Sequence, residues 1–191
     1  FIISKLMNIK ILISPHGMLD PYSMSQKRTF KLIFWHLFQK NIFLFSDQII
    51  VNSLKEKKNV LKIVNHKNIQ IIQHGIDLNL LNYKKINNKN LFPRFVFFSR
   101  IHPSKNLHTL INLWTGDKFF KKFKLDIFGE VTDLDYYQLI HNKIFRSNNI
   151  NFKGPIYKNK IKILSRYDIF IFPSKSENFG LVILEALASG L

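Results

Sequence analysis

Two kinds of hydrophobic pattern alternate along the chain: short apolar runs and longer stretches in which apolar residues recur every three or four positions. The short runs predict buried strands, and the longer stretches predict amphipathic helices. Strands are predicted at IKILIS, DQIIVNS, NIQII, RFVFFS, KLDIFGE, NINFKG and DIFIFPS. Strands separated by helices of about 10–15 residues are typical of βαβ units, so the pattern predicts an α/β fold with parallel sheets.

The helical patterns are predicted at residues 25–45, 53–65, 106–114, 134–145, 158–165 and 179–189. One of them carries a sequence signal for its start, the capping box SLKE. In such a box the Ser53 hydroxyl accepts the third helical N–H, and the Glu56 carboxylate reaches back to the backbone. The sequence therefore predicts a helix that begins after Ser53.

A polar stretch rich in Asn and Lys separates two sets of predicted strands. It shows neither the helical nor the strand periodicity of apolar residues. It predicts a connection at 81–92 between a first domain at 1–80 and a second at 93–191. The fold expected is two Rossmann-like, doubly wound domains. The chain begins at Phe1 and stops inside a helical pattern, so both domains are expected to be truncated.

The charge balance is strongly basic: 29 Lys+Arg against 12 Asp+Glu give a formal net charge of +17 over 191 residues. Such a charge favours nucleic acid or an anionic membrane as a partner. The lysines are scattered, however, and accompany an excess of Asn, Ile and Phe, as translation of an AT-rich genome would produce. We therefore expect no nucleic-acid partner.

The aromatic and basic stretch FKLIFWHLFQKNIFLF leaves two interpretations open. It is either a helix that lies on a membrane surface or a buried helix with a polar stripe. No apolar run approaches the roughly 20 residues that span a bilayer. The expected location is the cytoplasm, with contact to the inner face of the membrane as an open alternative.

The sequence lacks the residues and motifs that several kinds of chemistry require. The absence of Cys excludes disulfides and thiol catalysis. The sequence contains no G-x-G-x-x-G fingerprint, no phosphate-binding G-x-x-x-x-G-K-[ST], no H-E-x-x-H and no G-x-S-x-G. We expect no metal site and no cofactor.

Two carboxylates stand out in the last strand-to-helix stretch, PSKSENFGLVILEALASG. Glu177 lies in the predicted loop and Glu185 in the predicted helix. The helix N-terminus and Gly180 suit a phosphate, and the two carboxylates suit vicinal hydroxyls, which together describe a nucleotide-sugar. The alternative is a solvated Glu185 and a Glu177 that merely favours the helix dipole. A second loop, SRIHPSKN, adds Arg100 and Lys105, cations suited to a diphosphate.

These motifs resemble the donor domain of retaining, GT-B fold glycosyltransferases of family 4, the group 1 glycosyl transferases. The stretch from Pro173 to Gly190 is similar to that family's E-x7-E region, and SRIHPSKN resembles its Arg/Lys phosphate loop. IIQHGID resembles its domain-linking turn. The likeness extends from about Ser14 to the end of the chain.

The resemblance implies roles for the matching residues. Arg100 and Lys105 would hold the donor diphosphate, and Glu185 would bind the ribose. Glu177 would contact the transferred sugar. The remaining expected donor contacts come from the backbone around the helix start, at Asn178, Phe179, Gly180 and Leu181. Asn178 stands where the family often has glycine, which puts the loop conformation in doubt.

The first domain adds one candidate and several residues with expected structural roles. SPHGMLDPYSMSQKRTFK resembles the acceptor side of family members that act on polysaccharides and lipid-linked glycans. His16 is either a contact to the sugar or acceptor, and so a catalytic candidate beside Glu177, or a structural residue of the turn. Asp20 and Asp77 are expected to be turn residues, and His74 is expected to be structural.

The expected function is transfer of a sugar from a nucleotide-diphosphate sugar to an acceptor hydroxyl, with retention and without a metal. The expected pathway is synthesis of surface polysaccharide or lipid-linked glycan. Two other classes remain open: a glycoside hydrolase that uses Glu177 and Glu185, and a non-catalytic basic protein that binds membrane or nucleic acid. The chain alone is expected to be inactive, because parts of both domains would be missing.

Overall fold

A computed structural model describes residues 1–26, 28–75 and 91–191. Most of the predicted connection at 81–92 lies outside these ranges, as does Asp77. The chain forms two compact units. The first comprises Phe1–Gly75 with Ser176–Phe179, and the second comprises Ile76–Lys175 with Gly180–Leu191.

The first unit is built on a parallel sheet in the order β1-β2-β3. Its strands are β1 (Leu12–Ile13), β2 (Gln48–Val51) and β3 (Ile69–Ile71). Its α-helices are α1 (Ile2–Leu6), α2 (Pro21–Ser25), α3 (Arg28–Phe34), α4 (Lys40–Leu44) and α5 (Leu54–Leu61). Residues from β2, the helical segments and the adjoining turns form a common core: Leu19, Trp35, Phe43, Ile49, Val51, Val60 and Val64.

The helical pattern predicted at residues 25–45 is divided in the structure. Asp20 caps α2 through the Tyr22 amide, and Pro21 occupies the first helical position, so the helical region begins earlier than predicted. Gln26 has an extended backbone and ends α2. A π-helical turn, Trp35–Gln39, then joins α3 to α4.

The second unit contains a four-stranded parallel sheet among its described residues, in the order β6-β5-β4-β7. The strands are β4 (Phe95–Phe98), β5 (Leu125–Phe128), β6 (Ile150–Gly154) and β7 (Ile169–Phe170). The α-helices are α6 (Leu107–Gly116), α7 (Leu134–Phe145), α8 (Lys160–Leu164) and α9 (Leu181–Ala188). Short 3-10 helices form at Pro103–Lys105 and Phe120–Lys122.

Strand β4 is buried on both faces, which explains its continuous apolar sequence. Phe95 and Phe97 belong to a core that also contains residues of α6 and α7. Val96 and Phe98 belong to a second core, which contains Leu164 of α8 and packs against Val182 of α9. Helices therefore cover both faces of this sheet. The predicted α/β class with parallel sheets is confirmed.

The apolar helical stretch of the first unit is partly buried and partly exposed. Trp35 and Phe43 lie in the core. Phe30, Leu37 and Phe38 remain 71%, 63% and 56% exposed. The interpretation of this stretch as a buried helix with a polar stripe is therefore wrong, because its exposed residues include these large apolar side chains. Within the described ranges, no helix has the length and apolar character needed to cross a bilayer.

Candidate functional site

The strand order of the second unit creates a switch point between β4 and β7. From β4 the chain goes to β5 and β6 on one side, and β7 then pairs with β4 on the other. In open parallel sheets, ligands bind at the carboxyl ends of the strands beside such a point. The loop after β4 carries Arg100 and Lys105, and the loop after β7 leads to Gly180 and α9. The topology thus brings the two predicted loops to one sheet edge.

The two loops are joined through one carbonyl group. The Ser104 carbonyl accepts a hydrogen bond from the Lys175 amide at 2.8 Å and another from Ser174 Oγ at 3.2 Å. The 3-10 turn that carries Ser104 is itself capped by the His102 side chain, which accepts from the Ser104 amide. The loops after β4 and β7 therefore hold each other in place.

The two predicted phosphate-binding cations differ in their surroundings. Lys105 is only 8% exposed, and its Nζ lies 5.5 Å from the centroid of the Phe172 ring, which follows β7. Arg100 is exposed, and no hydrogen bond or ion pair involves its side chain within the described part of the chain. The fold itself therefore orients Lys105 toward the β7 loop and leaves the Arg100 guanidinium available to a ligand.

Helix α9 begins at Leu181, later than the predicted start near Asn178 or Phe179. The reason is Gly180, whose φ of 77° is left-handed and interrupts helical geometry before Leu181. Phe179 therefore precedes the helix. No side chain of the described residues caps α9. The Ile183 amide donates to the Gly180 carbonyl at 2.8 Å, so the Leu181 and Val182 amides are the ones that keep their hydrogen-bonding capacity. These amides and the helix dipole favour an anion at the start of the helix.

Glu185 forms an ion pair that the sequence did not suggest. Lys160, at the start of α8, places its Nζ 3.2 Å from Glu185 Oε1. The same Nζ lies 5.5 Å from the centroid of the Phe98 ring. Only the tertiary structure brings these residues together, since Lys160 is one of many scattered lysines. The ion pair restricts the carboxylate that the resemblance assigns to a ribose.

The carboxyl edge of the first sheet gathers three polar side chains, one after each strand. His16 follows β1, Asn52 follows β2 and His74 follows β3. His16 Nδ1 lies 3.2 Å from Asn52 Nδ2, and the rings of His16 and His74 stack with centroids 6.0 Å apart. Sequence reasoning found His16 but missed Asn52, which was visible only as the polar residue at the end of a buried strand.

Glu56 connects two of these strand ends. Its carboxylate is 3% exposed and accepts from the Gly17 amide at 2.6 Å and from the Asn52 amide at 2.7 Å. The Glu56 amide donates to Ser53 Oγ at 3.1 Å, as the capping box predicts. The carboxylate reaches back as expected, but it reaches Asn52 and Gly17, so it orders the His16 turn as well as the helix.

The segment Ser176–Phe179 belongs to the first unit, where its neighbours are residues of that unit. Ser176 Oγ donates to Asp20 Oδ1 at 2.8 Å. Lys55 Nζ lies 3.3 Å from both Asp20 Oδ2 and the Glu177 carbonyl oxygen. The Phe179 ring contacts His74 edge-on at 5.4 Å between centroids.

Asn178 lies against Gly17, where a Cβ on the glycine would come within 3.2 Å of the Asn178 Cβ. Gly17 has a φ of 80°, which also favours glycine at this position. His16, Glu177, Asn178 and Phe179 thus belong to the first unit. Arg100, Lys105, Gly180, Leu181 and Glu185 belong to the second.

Asp20 is more than the turn residue expected from the sequence. Burial raises the pKa of its carboxyl, but hydrogen bonds from Ser176, the Tyr22 amide and Lys55 together outweigh burial. The pKa of Asp20 is therefore lowered from its ordinary value of 3.8. The ionised carboxylate stabilises the folded state, and this contribution is present above the unfolded-state pKa. It is lost as the pH falls through the lower, folded-state pKa.

We expect Asp20→Asn to lower the free energy of unfolding at pH 7 by about 1–2 kcal/mol, because hydrogen bonds to a charged acceptor are weakened. Asn is an equally good helix cap, so α2 itself should remain. The difference from the wild type should shrink as the pH falls below 3.8. Urea unfolding at a series of pH values measures it, with the exposed Asp135→Asn as the matched control. A difference independent of pH would contradict the expectation.

In the ranges that the structure describes, no three His, Cys, Asp or Glu side chains lie together in a way that could hold a metal ion.

The part of the chain that carries this sheet edge matches a known protein family. The family model for glycosyl transferases group 1 matches residues 81–191, which is more than half of the chain. The GtfA subunit of a UDP-N-acetylglucosamine–peptide N-acetylglucosaminyltransferase from Streptococcus agalactiae is 33% identical over 94 residues. That match covers 49% of this chain and 18% of the relative.

Solved structures show the same fold. HepE from Anabaena, in complex with UDP-glucose, matches with a TM-score of 0.76 at 20% identity, over 99% of this chain and 54% of HepE. Pneumococcal O-GlcNAc transferase GtfA, in complex with UDP and GlcNAc, matches with a TM-score of 0.57 at 21% identity, over 83% of this chain and 31% of GtfA. The chain thus spans about half the length of HepE and less of the GtfA relatives. From the family match and the shared α/β fold, the chain belongs to the group 1 glycosyl transferases.

Proposed function

We propose that the protein transfers a glycosyl unit from a nucleotide-diphosphate sugar to an acceptor hydroxyl with retention of anomeric configuration. The observation that carries this proposal is the edge of the second sheet at its switch point. There Lys105, the uncapped start of α9 and Glu185 lie on elements that leave β4 and β7. Cations and free amides suit a diphosphate, and a carboxylate suits the ribose hydroxyls.

The proposed chemistry is departure of a nucleoside diphosphate assisted by electrostatic stabilisation. The bond between the anomeric carbon and the phosphate oxygen breaks, and the bond to the acceptor oxygen forms. The acceptor proton goes to an oxygen of the leaving phosphate. Arg100, Lys105 and the first amides of α9 would stabilise the charge that develops on the diphosphate, without a metal. Glu177 would position the sugar and stabilise positive charge at the anomeric carbon.

The donor class follows from family membership and from the solved relatives. HepE holds UDP-glucose, and pneumococcal GtfA holds UDP and GlcNAc. We therefore propose a UDP-sugar as the first donor to test. The acceptor we propose is a glycan or a lipid-linked glycan, in the synthesis of surface polysaccharide.

The function is tested by incubating the full-length protein with a panel of nucleotide-sugars and glycan acceptors, with release of nucleoside diphosphate as the readout. We expect acceptor-dependent release from at least one UDP-sugar, unaffected by a chelator. Cleavage of glycosides without release of nucleoside diphosphate would instead indicate a hydrolase. Salt-sensitive DNA binding without affinity for any nucleotide-sugar would indicate a non-catalytic basic protein.

We further propose that the exposed face of α3 and the π-helical turn contacts an anionic membrane. This face presents Phe30, Ile33, Leu37 and Phe38, all more than half exposed. Arg28 and Lys31 belong to the same helical stretch, and the whole chain has a formal net charge of +17. Exposed aromatic and basic residues together are typical of helices that lie in a membrane interface.

We expect the double variant Phe30→Glu, Leu37→Glu to weaken binding to phosphatidylserine-containing vesicles at least about tenfold, because two apolar side chains can no longer be buried. Vesicle sedimentation measures the effect, and Leu139→Glu, at an equally exposed leucine of α7, is the matched control. Unchanged vesicle binding would contradict the proposal. Self-association that the double variant abolishes would show that a second copy covers this face.

A further inference from the structure

The imidazole ring of His16 is hydrogen-bonded through one nitrogen only. Nδ1 lies 3.2 Å from Asn52 Nδ2. For Nε2, the structure gives no hydrogen-bond partner among the described residues, and the side chain is exposed. The two ring nitrogens therefore differ in what they can offer to a ligand.

The chemistry of Asn52 decides which nitrogen carries the proton. An amide nitrogen only donates, so the ring nitrogen that faces it must be the acceptor. Nδ1 of His16 then holds a lone pair, and the proton of the neutral ring lies on Nε2. A proton on Nδ1 would place two N–H groups against each other. The geometry thus selects one of the two tautomers.

The surrounding structure fixes the backbone of both residues. Asn52 is 3% exposed, and its backbone amide donates to the buried Glu56 carboxylate. The same carboxylate binds the Gly17 amide, next to His16, whose φ of 46° is left-handed. His16 therefore adopts a backbone conformation that is uncommon for a side-chain-bearing residue. His74 stacks on the ring at an interplanar angle of 12°.

We propose that Asn52 is a positioning residue that holds His16 as a hydrogen-bond donor through Nε2. In this tautomer Nε2 has no lone pair with which to accept a proton, so His16 binds an oxygen of the substrate and does not act as a general base. The assignment of a substrate contact rests on the proposed function, whereas the tautomer does not. The ligand atom is a hydroxyl oxygen of the transferred sugar or of the acceptor, and kinetics separate the two.

The tautomer is tested by NMR of the protein labelled with 15N in histidine, because the 15N shifts of the two ring nitrogens report which one is protonated. His16→Gln assigns the His16 signals among the seven histidines by their loss. We expect an unprotonated Nδ1 and a protonated Nε2 in the wild type. Asn52→Asp offers only acceptor oxygens, so it should move a proton to Nδ1. Asn65→Asp, at an exposed position, should leave the signals unchanged.

A protonated Nδ1 in the neutral wild-type ring would overturn the proposal, because it would mean that Asn52 presents its oxygen. The same conclusion follows if Asn52→Asp leaves the His16 signals unchanged while circular dichroism shows a folded protein. Neither measurement depends on enzymatic activity. Absence of glycosyl transfer would therefore overturn the proposed function and leave the tautomer standing.

The substrate contact is tested by kinetics of two substitutions at one position. The Gln side chain keeps an N–H donor near the place of Nε2 but cannot act as a base, whereas Ala keeps neither. We expect His16→Ala to lower kcat/KM about tenfold or more, because one hydrogen bond to the substrate is lost. His16→Gln should keep most of the wild-type kcat/KM. An effect confined to the KM of one substrate identifies which hydroxyl is bound. Equal loss in both variants, with folding intact, would indicate a base. His141→Gln, at an exposed position of α7, is the matched control.

Discussion

Arg100→Ala is expected to lower kcat about 10²–10³-fold with little change in stability. The proposed role of its guanidinium is to stabilise charge that develops on the departing diphosphate, and removal of one such group typically has an effect of this size. The Arg100 side chain is exposed and makes no hydrogen bond or ion pair in the described part of the chain. Surface substitutions of this kind usually change the free energy of unfolding by less than about 0.5 kcal/mol.

The measurement is steady-state release of nucleoside diphosphate, made alongside thermal unfolding of the same samples. Arg166→Ala removes an equal charge from an exposed position of the same unit and should keep wild-type turnover. Arg100→Lys should recover part of the activity, because it restores the charge but not the bidentate geometry. If Arg100→Ala turns over like the wild type, the assignment of this residue to the diphosphate is wrong.

Gly129→Ala is expected to lower the free energy of unfolding by about 3 kcal/mol or more. A Cβ at Gly129 would lie 1.8 Å from the Ser99 carbonyl oxygen, far inside van der Waals contact. Backbone on both sides is held by pairing: the Ser99 amide donates to Phe128, and the Gly129 amide donates to Gly154. Because neither strand can move without losing these bonds, the substitution would strain or break the sheet edge.

Urea unfolding measures this effect, with Gly116→Ala as the matched control. Gly116 is the last residue of α6, and a Cβ there would meet nothing within 4 Å, so the control should be neutral or slightly stabilising. We also expect activity to fall in any folded Gly129→Ala protein, since Ser99 precedes Arg100. Wild-type stability in Gly129→Ala would show that the two strand ends are not held as closely as described.

The parts of the fold that follow from local pattern were predictable. Helix α7 has the predicted bounds, Leu134–Phe145, because its apolar spacing is regular and Asp133 caps its start. The capping box likewise identified the start of α5. Strands β2, β4 and β5 were recognisable because each is a short apolar run between polar loops, and each contains buried residues. The run IKILIS was also predicted to be a buried strand, and this was wrong: β1 comprises only Leu12 and Ile13, of which Leu12 is exposed and Ile13 half-buried.

Other element bounds depend on single residues that a periodic pattern does not reveal. The pattern of α9 extends back through Phe179, but the left-handed conformation of Gly180 delays the helix to Leu181. Asp20 and Pro21 begin a helix before the periodic stretch, and the π-helical turn at Trp35–Gln39 shifts which side chains reach the core. These features are consequences of backbone geometry and tertiary packing.

The candidate site residues also fall into those that local sequence reveals and those that only the fold reveals. Arg100, Lys105, Glu177 and Glu185 stand out because their charges follow strand-like runs at loop and helix positions. Asn52 and Lys160 carry no such signal, since each acquires its partner only when distant strands or helices come together. Glu56 was recognised as a helix cap, but its contact with Gly17, 39 positions away, required the fold.

The shared Ser104 carbonyl constrains how the two loops of the proposed donor site can be exchanged. Since this one oxygen accepts from both Ser174 and the Lys175 backbone, the loop after β4 and the loop after β7 form a single mechanical part. Grafting only one loop from a relative would replace one side of these hydrogen bonds and leave the other side unmatched. Chimeras that exchange both loops together should keep the loops in their present arrangement. Libraries of variants should therefore vary the two loops as a pair.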